Sequence, residues 1–211
     1  RLIILGLPSL TLAANKVRGN ITVHIEPWQW LVGAGAALLV GFSKTGMPGA
    51  GILVVPLLAY AFGGRISVGI MLPMLIFADC FAVWWYRRHA QWDKLLGLLP
   101  WVVVGLLLGT VALWGAGRIN GSEDIMNRGI GALVLVMLGL SLLQGKSRGR
   151  LSVTSKVGTA STGMAAGFST MVSNAAGPIM SIYMEAQKFS KNEFMGTAAW
   201  YFLIVNASKM P

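Results

Sequence analysis

Charged side chains are missing from long stretches of this sequence, and that one feature limits the folds open to it. Between Lys44 and Arg65 lie 20 uncharged residues, between Lys94 and Arg118 there are 23, between Arg128 and Lys146 there are 17, and between Lys156 and Glu185 there are 28. The run 66–86 carries a single charge, Asp79, and 28–42 and 194–208 are shorter apolar runs of 15 residues. A spanning helix needs roughly 20 apolar residues, with about 17 as the practical minimum. Charged residues make up 11% of the chain, against about 25% in soluble domains. So few charges cannot solvate a surface of this size, and the rest of it must meet lipid.

Backbone groups in hydrocarbon must bond within their own element, which leaves helices or a closed barrel. The runs are continuously apolar and lack the two-residue alternation of barrel strands. The expected fold is therefore all-α, a polytopic transmembrane bundle. Its helices are expected near 28–43, 48–62, 66–86, 94–115, 127–144, 157–170, 173–186 and 192–208. Among the 27 glycines, Gly105 and Gly109 form a small-xxx-small pair, which allows close helix approach in lipid.

The net charge is +10. The basic residues lie between the apolar runs, where a membrane protein keeps them, and they form no stripe with interleaved aromatics of the kind a nucleic-acid groove needs. Nucleic acid is therefore not an expected partner. Cys80 is the only cysteine, which excludes a disulfide framework or a cysteine metal site within one chain; it is expected to be a small core residue. Residues 1–27 form an N-terminal segment of uncertain role. Within it, 2–14 is apolar but contains Pro8 and reads as a signal-like segment or the end of a helix.

Two stretches resemble each other. Residues 41–54 read GFSKTGMPGAGILV and 167–180 read GFSTMVSNAAGPIM. Without a gap, Gly41, Phe42, Ser43, Ala50 and Gly51 match Gly167, Phe168, Ser169, Ala176 and Gly177. Each stretch is followed by an apolar segment, then by a basic, an apolar and a serine residue: Arg65-Ile66-Ser67 and Lys188-Phe189-Ser190. Both stretches break a helix. Gly46, Pro48, Gly49 and Gly51 do so in the first; Ser173, Asn174, Gly177 and Pro178 do so in the second. Paired, short, Gly/Pro-interrupted segments are the best sequence pointer to a transporter's binding site.

Charge counting sets the expected topology. If each broken element is a hairpin returning to its own side, the loops 87–94, 145–156 and 187–191 share one face. They hold nine basic residues: Arg87, Arg88, Lys94, Lys146, Arg148, Arg150, Lys156, Lys188 and Lys191. That face is expected to be cytoplasmic, and the two hairpins then enter from opposite sides as an inverted repeat. The expected units are a first repeat over 28–144 and a second over 145–211. Nothing before Pro211 answers in the second unit to the runs 94–115 and 127–144, so that repeat is expected to be incomplete: the chain is a fragment, or one that works with a second subunit, and a homo-oligomer is one form this could take.

A broken helix frees backbone N–H groups at the start of its second half, and these attract anions together with the helix dipole. Ser43, Thr45, Ser173 and Asn174 add donors, and Lys44 adds a full positive charge. The expected ligand is a small anion. The simpler alternatives are a snorkelling Lys44 at the membrane surface and serines bonded back to their own helix. Asp79 lies deep in an apolar run, where charge is costly and usually paired or functional. It is expected either to pair with Lys44 or to carry a coupled proton, unless it only ties helix ends together. Asn206 lies in the corresponding helix of the second unit as its polar counterpart. His24 and His89 stand apart in different loops, and no P-loop, nucleophile elbow or H-x-x-x-H spacing is present. Neither an enzyme nor a bound metal or cofactor is expected. Trp28, Trp30, Trp92 and Trp114 sit near helix ends, as an aromatic belt would place them.

On residues Gly41 to Pro56, on the second copy from Gly167, and on the Gln91-Trp92-Asp93 turn before the helix with Gly105 and Gly109, the chain resembles the sulfite exporter TauE/SafE family, also called the toluene sulfonate uptake permease family. The resemblance covers roughly 28 to 211. It implies a multi-pass permease of a bacterial-type inner membrane, with two homologous halves and substrates such as sulfite, sulfonates and related organosulfur anions. It also implies that Ser43 to Gly51 (with Lys44, Thr45, Gly46 and Gly49) and Ser173 to Gly177 carry binding. Ser-Lys-Thr departs from the plainer glycine-rich run of the family, and the second copy lacks the lysine, so the half-sites are expected to bind unequally. A passive anion channel and a non-transporting accessory subunit are the alternative functions.

Overall fold

A computed structural model of the chain describes residues 12–16, 19–23, 26–44, 50–118, 122–144 and 155–210. Two short strands, β1 (Leu12–Lys16) and β2 (Gly19–Val23), pair as an antiparallel hairpin. The β-branched run Ile21-Thr22-Val23 favours extended backbone, and Leu12 to Ala14, the last residues of the apolar 2–14 segment, lie in β1; the rest of that segment is outside the described residues.

Every other described element is helical: α1 (Pro27–Ser43), a 3-10 turn (Ala50–Leu53), α2 (Val54–Phe62), α3 (Gly64–Tyr86), a second 3-10 turn (Arg87–His89), α4 (Trp92–Ala116), α5 (Ser122–Gln144), α6 (Lys156–Ser173), α7 (Gly177–Ala186) and α8 (Lys191–Ser208). The helices lie within a few residues of the expected runs, with two differences at the breaks. The segment 48–62 begins as a 3-10 turn and becomes α-helical only at Val54. α6 continues to Ser173, and the next helix starts at Gly177 rather than 173. Asn174 takes a left-handed conformation, φ 56°, which its side chain tolerates better than most, and Pro178 suits the first turn of α7.

α3 and α4, with 23 and 25 residues, are long and apolar enough to cross a membrane. Their outward faces are apolar: Phe77 is 68% and Leu107 61% exposed. Cys80 is exposed too, which corrects its expected core position. A helix apolar on every side carries no sequence signal for which face turns inward. Trp28, Trp30, Trp92 and Trp114 are also exposed near helix ends.

The tightest seam joins α4 to α6. Its glycines are reciprocal: a Cβ on Gly105 would collide with the backbone of Met164 and Phe168, and one on Gly167 with the backbone of Val102 and Leu106. One on Gly109 would strike the Met171 side chain at 2.7 Å, and one on Gly163 the Trp101 side chain at 2.7 Å. The register rises together along both helices, so α4 and α6 run parallel.

Side-chain bonds fix the course of the hairpins. Gln29, near the start of α1, donates to the Ala61 carbonyl near the end of α2 at 2.6 Å, so α2 comes back to the side where α1 began. Tyr183 of α7 donates to the Lys94 carbonyl at the start of α4 at 3.3 Å. That is the end of α4 beside which α6 begins, so α7 also returns to its own side. α8 then runs antiparallel to α3: Gly196 abuts the Tyr86 carbonyl at the end of α3, while Asn206 reaches Asp79 further back along it.

Ser190 starts α8 with a capping box: its hydroxyl accepts from the Glu193 N–H, and the Glu193 carboxylate accepts from the Ser190 N–H at 2.8 Å. Gln91 Nε2 donates to the same carboxylate, and the Gln91 N–H donates to Thr197 Oγ1 at 2.9 Å, which locks the 87–91 turn to α8. Ser190→Ala is expected to lower stability by about 1 kcal/mol, read as a lower midpoint of unfolding in mixed micelles.

Candidate functional site

The two breaks meet. Ser43, Lys44 and Gly51 from the first, and Asn174 and Gly177 from the second, line one cavity of about 100 Å³ together with Asn206 of α8. That is several times the space one water requires. The rest of the wall is apolar, with Met71, Met180, Met184 and Phe202. Thr45, Gly46 and Gly49 lie outside the described residues.

Directly behind the wall is an ion pair. Lys44 Nζ lies 2.6 Å from Asp79 Oδ1, and the Asp79 side chain is fully buried. The other carboxylate oxygen, Oδ2, accepts from Asn206 Nδ2 at 2.8 Å. The Lys44 ammonium also sits 4.1 Å from the Phe202 ring centroid, where the ring's negative face attracts it. Three helical elements thus converge: the C-terminus of α1, the middle of α3 and the last turns of α8. Lys44 is no snorkelling surface lysine; its charge is turned inward. Cost explains the pairing, because an isolated charge at this depth would be expelled or neutralised.

The second break is built differently. The Asn174 N–H bonds the Thr170 carbonyl at 3.1 Å, and Ser169 Oγ donates across the break to the Ala175 carbonyl at 3.1 Å. Asn174 Nδ2 donates to the Val68 carbonyl of α3 at 3.1 Å. Ser173 is the exception among the expected binding residues. It is fully buried as the last residue of α6, and its hydroxyl donates back to the Ser169 carbonyl at 3.2 Å. Ser43 also bonds back, to the Val40 carbonyl at 2.7 Å, yet it remains on the cavity wall.

Sequence reasoning missed Lys209. Its ammonium donates to Asn174 Oδ1 at 2.6 Å, to Thr170 Oγ1 at 3.1 Å and to the Thr170 carbonyl at 3.2 Å. It lies just past the end of α8, so in the sequence it looks like any lysine closing an apolar run.

Chemically the site offers a positive charge, side-chain amides and the N-terminal end of α7 to a small ligand, within largely apolar walls. Among the described residues no group of His, Cys, Asp and Glu is gathered as a metal site. A family profile described as Sulfite exporter TauE/SafE matches residues 32–211. The chain belongs to the TauE/SafE family. No curated protein and no solved structure matches it. TauE/SafE proteins are membrane transporters of the sulfite exporter type, and in this member the match runs from within α1 through α8, including both breaks and the ion pair.

Proposed function

We propose that this TauE/SafE protein is a multi-pass permease of the cell inner membrane that moves a small sulfur-containing oxyanion or sulfonate by alternating access. The cavity shared by the two breaks is the substrate site in this reading. Lys44, Ser43, Gly51, Asn174 and Gly177 face the anion, and Asp79 holds Lys44 while Asn206 holds Asp79. Thr45, Gly46 and Gly49 would complete the first half-site. The observation that carries the reading is the convergence of two helix breaks, 126 residues apart at Gly51 and Gly177, on one cavity next to a lysine.

The division into an inverted pair of repeats, 28–144 and 145–211, belongs to the same proposal. It is supported by two features: each break sits at the tip of a hairpin that returns to its own side, and α3 and α8, which follow the two hairpins, run antiparallel. Helices that occupy matching places in two copies and point in opposite directions are what inversion requires. Loops 87–94 and 187–191 share one face through Gln91, Glu193 and Thr197, and the basic residues there support a cytoplasmic side for it.

Purified protein in liposomes should take up labelled sulfite or an alkyl sulfonate with saturable kinetics, and Lys44→Gln should lower the initial rate by about tenfold or more, the scale of one lost charged hydrogen bond. Unsaturable, high-conductance anion currents would instead support a channel. No flux of any anion from folded protein would leave the accessory-subunit reading.

A further inference from the structure

Two independent observations at this cavity specify the form of its ligand. The first is an unsatisfied acceptor. Asn206 is 1% exposed and lines the cavity. Its orientation is fixed, because the Asp79 carboxylate can only accept and so takes the amide nitrogen. That leaves Asn206 Oδ1 buried with no hydrogen-bond partner among the described residues. Buried acceptors are nearly always satisfied, and an exception at a site asks for an explanation. A ligand carrying an O–H would supply the missing donor; a fully deprotonated oxyanion would set two acceptors face to face.

The second observation is charge. Among the described side chains, three charged groups surround the breaks: Lys44, Lys209 and Asp79. Asp79 is the one buried carboxylate among the described residues, and it is already paired with Lys44. Lys209 is held only by neutral oxygens, those of Thr170 and Asn174. It lies within electrostatic range of both members of the pair and one side chain from the cavity wall, through Asn174. The empty site therefore carries one positive charge in excess, in surroundings where an unbalanced charge is costly. A monoanion restores neutrality and a dianion overshoots it.

We infer that the cavity selects its oxyanion in the singly charged, protonated state, with the ligand hydroxyl donating to Asn206 Oδ1 and the ligand charge balanced by Lys209. The inference rests on the permease reading above and deepens it. It gives Lys209 the role of a positioning residue, which holds Asn174 and sets the charge of the site without touching the ligand. It also means that the proton crosses as part of the anion, so Asp79 stays ionised and paired throughout.

The test uses liposomes containing the whole protein and three probes: sodium sulfite, sodium methanesulfonate and sodium sulfate. Sulfite passes from the hydrogen monoanion to the dianion on its second ionisation. Methanesulfonate is a monoanion without a proton at every pH used, and sulfate is a dianion. At fixed total sulfite, flux should fall as pH rises through that ionisation, and more steeply than methanesulfonate flux, which loses only what the Lys209 charge contributes, while sulfate flux stays lowest. Asn206→Leu should lower sulfite flux relative to methanesulfonate by about tenfold, one charged hydrogen bond. Lys209→Gln should lower both monoanions together, and Lys209→Arg should retain them. Sulfite flux that rises with pH, sulfate preferred over methanesulfonate, or equal losses of both monoanions in Asn206→Leu would overturn the inference while leaving the permease reading standing. Wild-type protein that moves no anion would remove both. The pH series and the probe series need no variant, so a poorly folding Asn206→Leu leaves the inference testable.

Discussion

Asp79→Ala will destabilise the protein by about 3–5 kcal/mol, the range measured when one partner of a buried ion pair is removed, and will abolish anion movement. The structure gives two reasons for the size of the effect. Lys44 Nζ loses the carboxylate 2.6 Å away, and Asn206 Nδ2 loses its acceptor at 2.8 Å, so one truncation strands a cation and an amide together. The cation–π contact with Phe202 at 4.1 Å offsets only a small part of this. Replacing both charges with apolar groups of similar size, Lys44→Met with Asp79→Leu, should recover most of the stability, because the buried cation goes as well. It should not recover transport. Folding measured in mixed micelles and flux measured in liposomes will separate these two results. A double variant that transports normally would remove Lys44 from the binding site.

Gly167→Leu is expected to have the largest structural effect. The position that a Cβ would take overlaps the backbone of Val102 and Leu106, and backbone cannot rotate aside as a side chain can. Overpacking of ordinary cores costs about 1–3 kcal/mol. Here the helices must separate before the side chain fits, so the loss should reach or exceed the top of that range. Gly105→Leu should match it from the other side, since Gly105 meets the backbone of Met164 and Phe168. Gly115→Leu in the same α4, where nothing lies within 4 Å, is the control and should leave the unfolding midpoint nearly unchanged. Equal losses at positions 115 and 167 would show that the seam does not govern the response, since Gly→Leu improves helix propensity at both.

Most of the helical layout was legible because charge is so costly in hydrocarbon that its absence marks each span. The hairpin breaks were legible for a related reason: Gly and Pro density inside an apolar run contradicts a straight helix. The Lys44–Asp79 pair could be anticipated because each residue alone was unaffordable at its position. Three features did not show. The inward face of α3 was hidden, since residues on all sides of it are apolar, and Cys80 was placed inside when it is exposed. The end of α6 was set three residues short, because the helix runs on until Asn174 supplies a left-handed residue. Lys209 escaped notice because its partners, Thr170 and Asn174, are neutral, and neutral acceptors leave no complementary charge to find in the sequence.

The glycine seam has a consequence for motion. Where Gly105 and Gly167 meet, main chain lies against main chain, with no intervening rotamers that could repack into a second arrangement. α4 and α6 must therefore travel as a single rigid strut. In the permease reading, a rearrangement that opens the cavity pivots about that strut, with its hinges in the two short connections flanking α7.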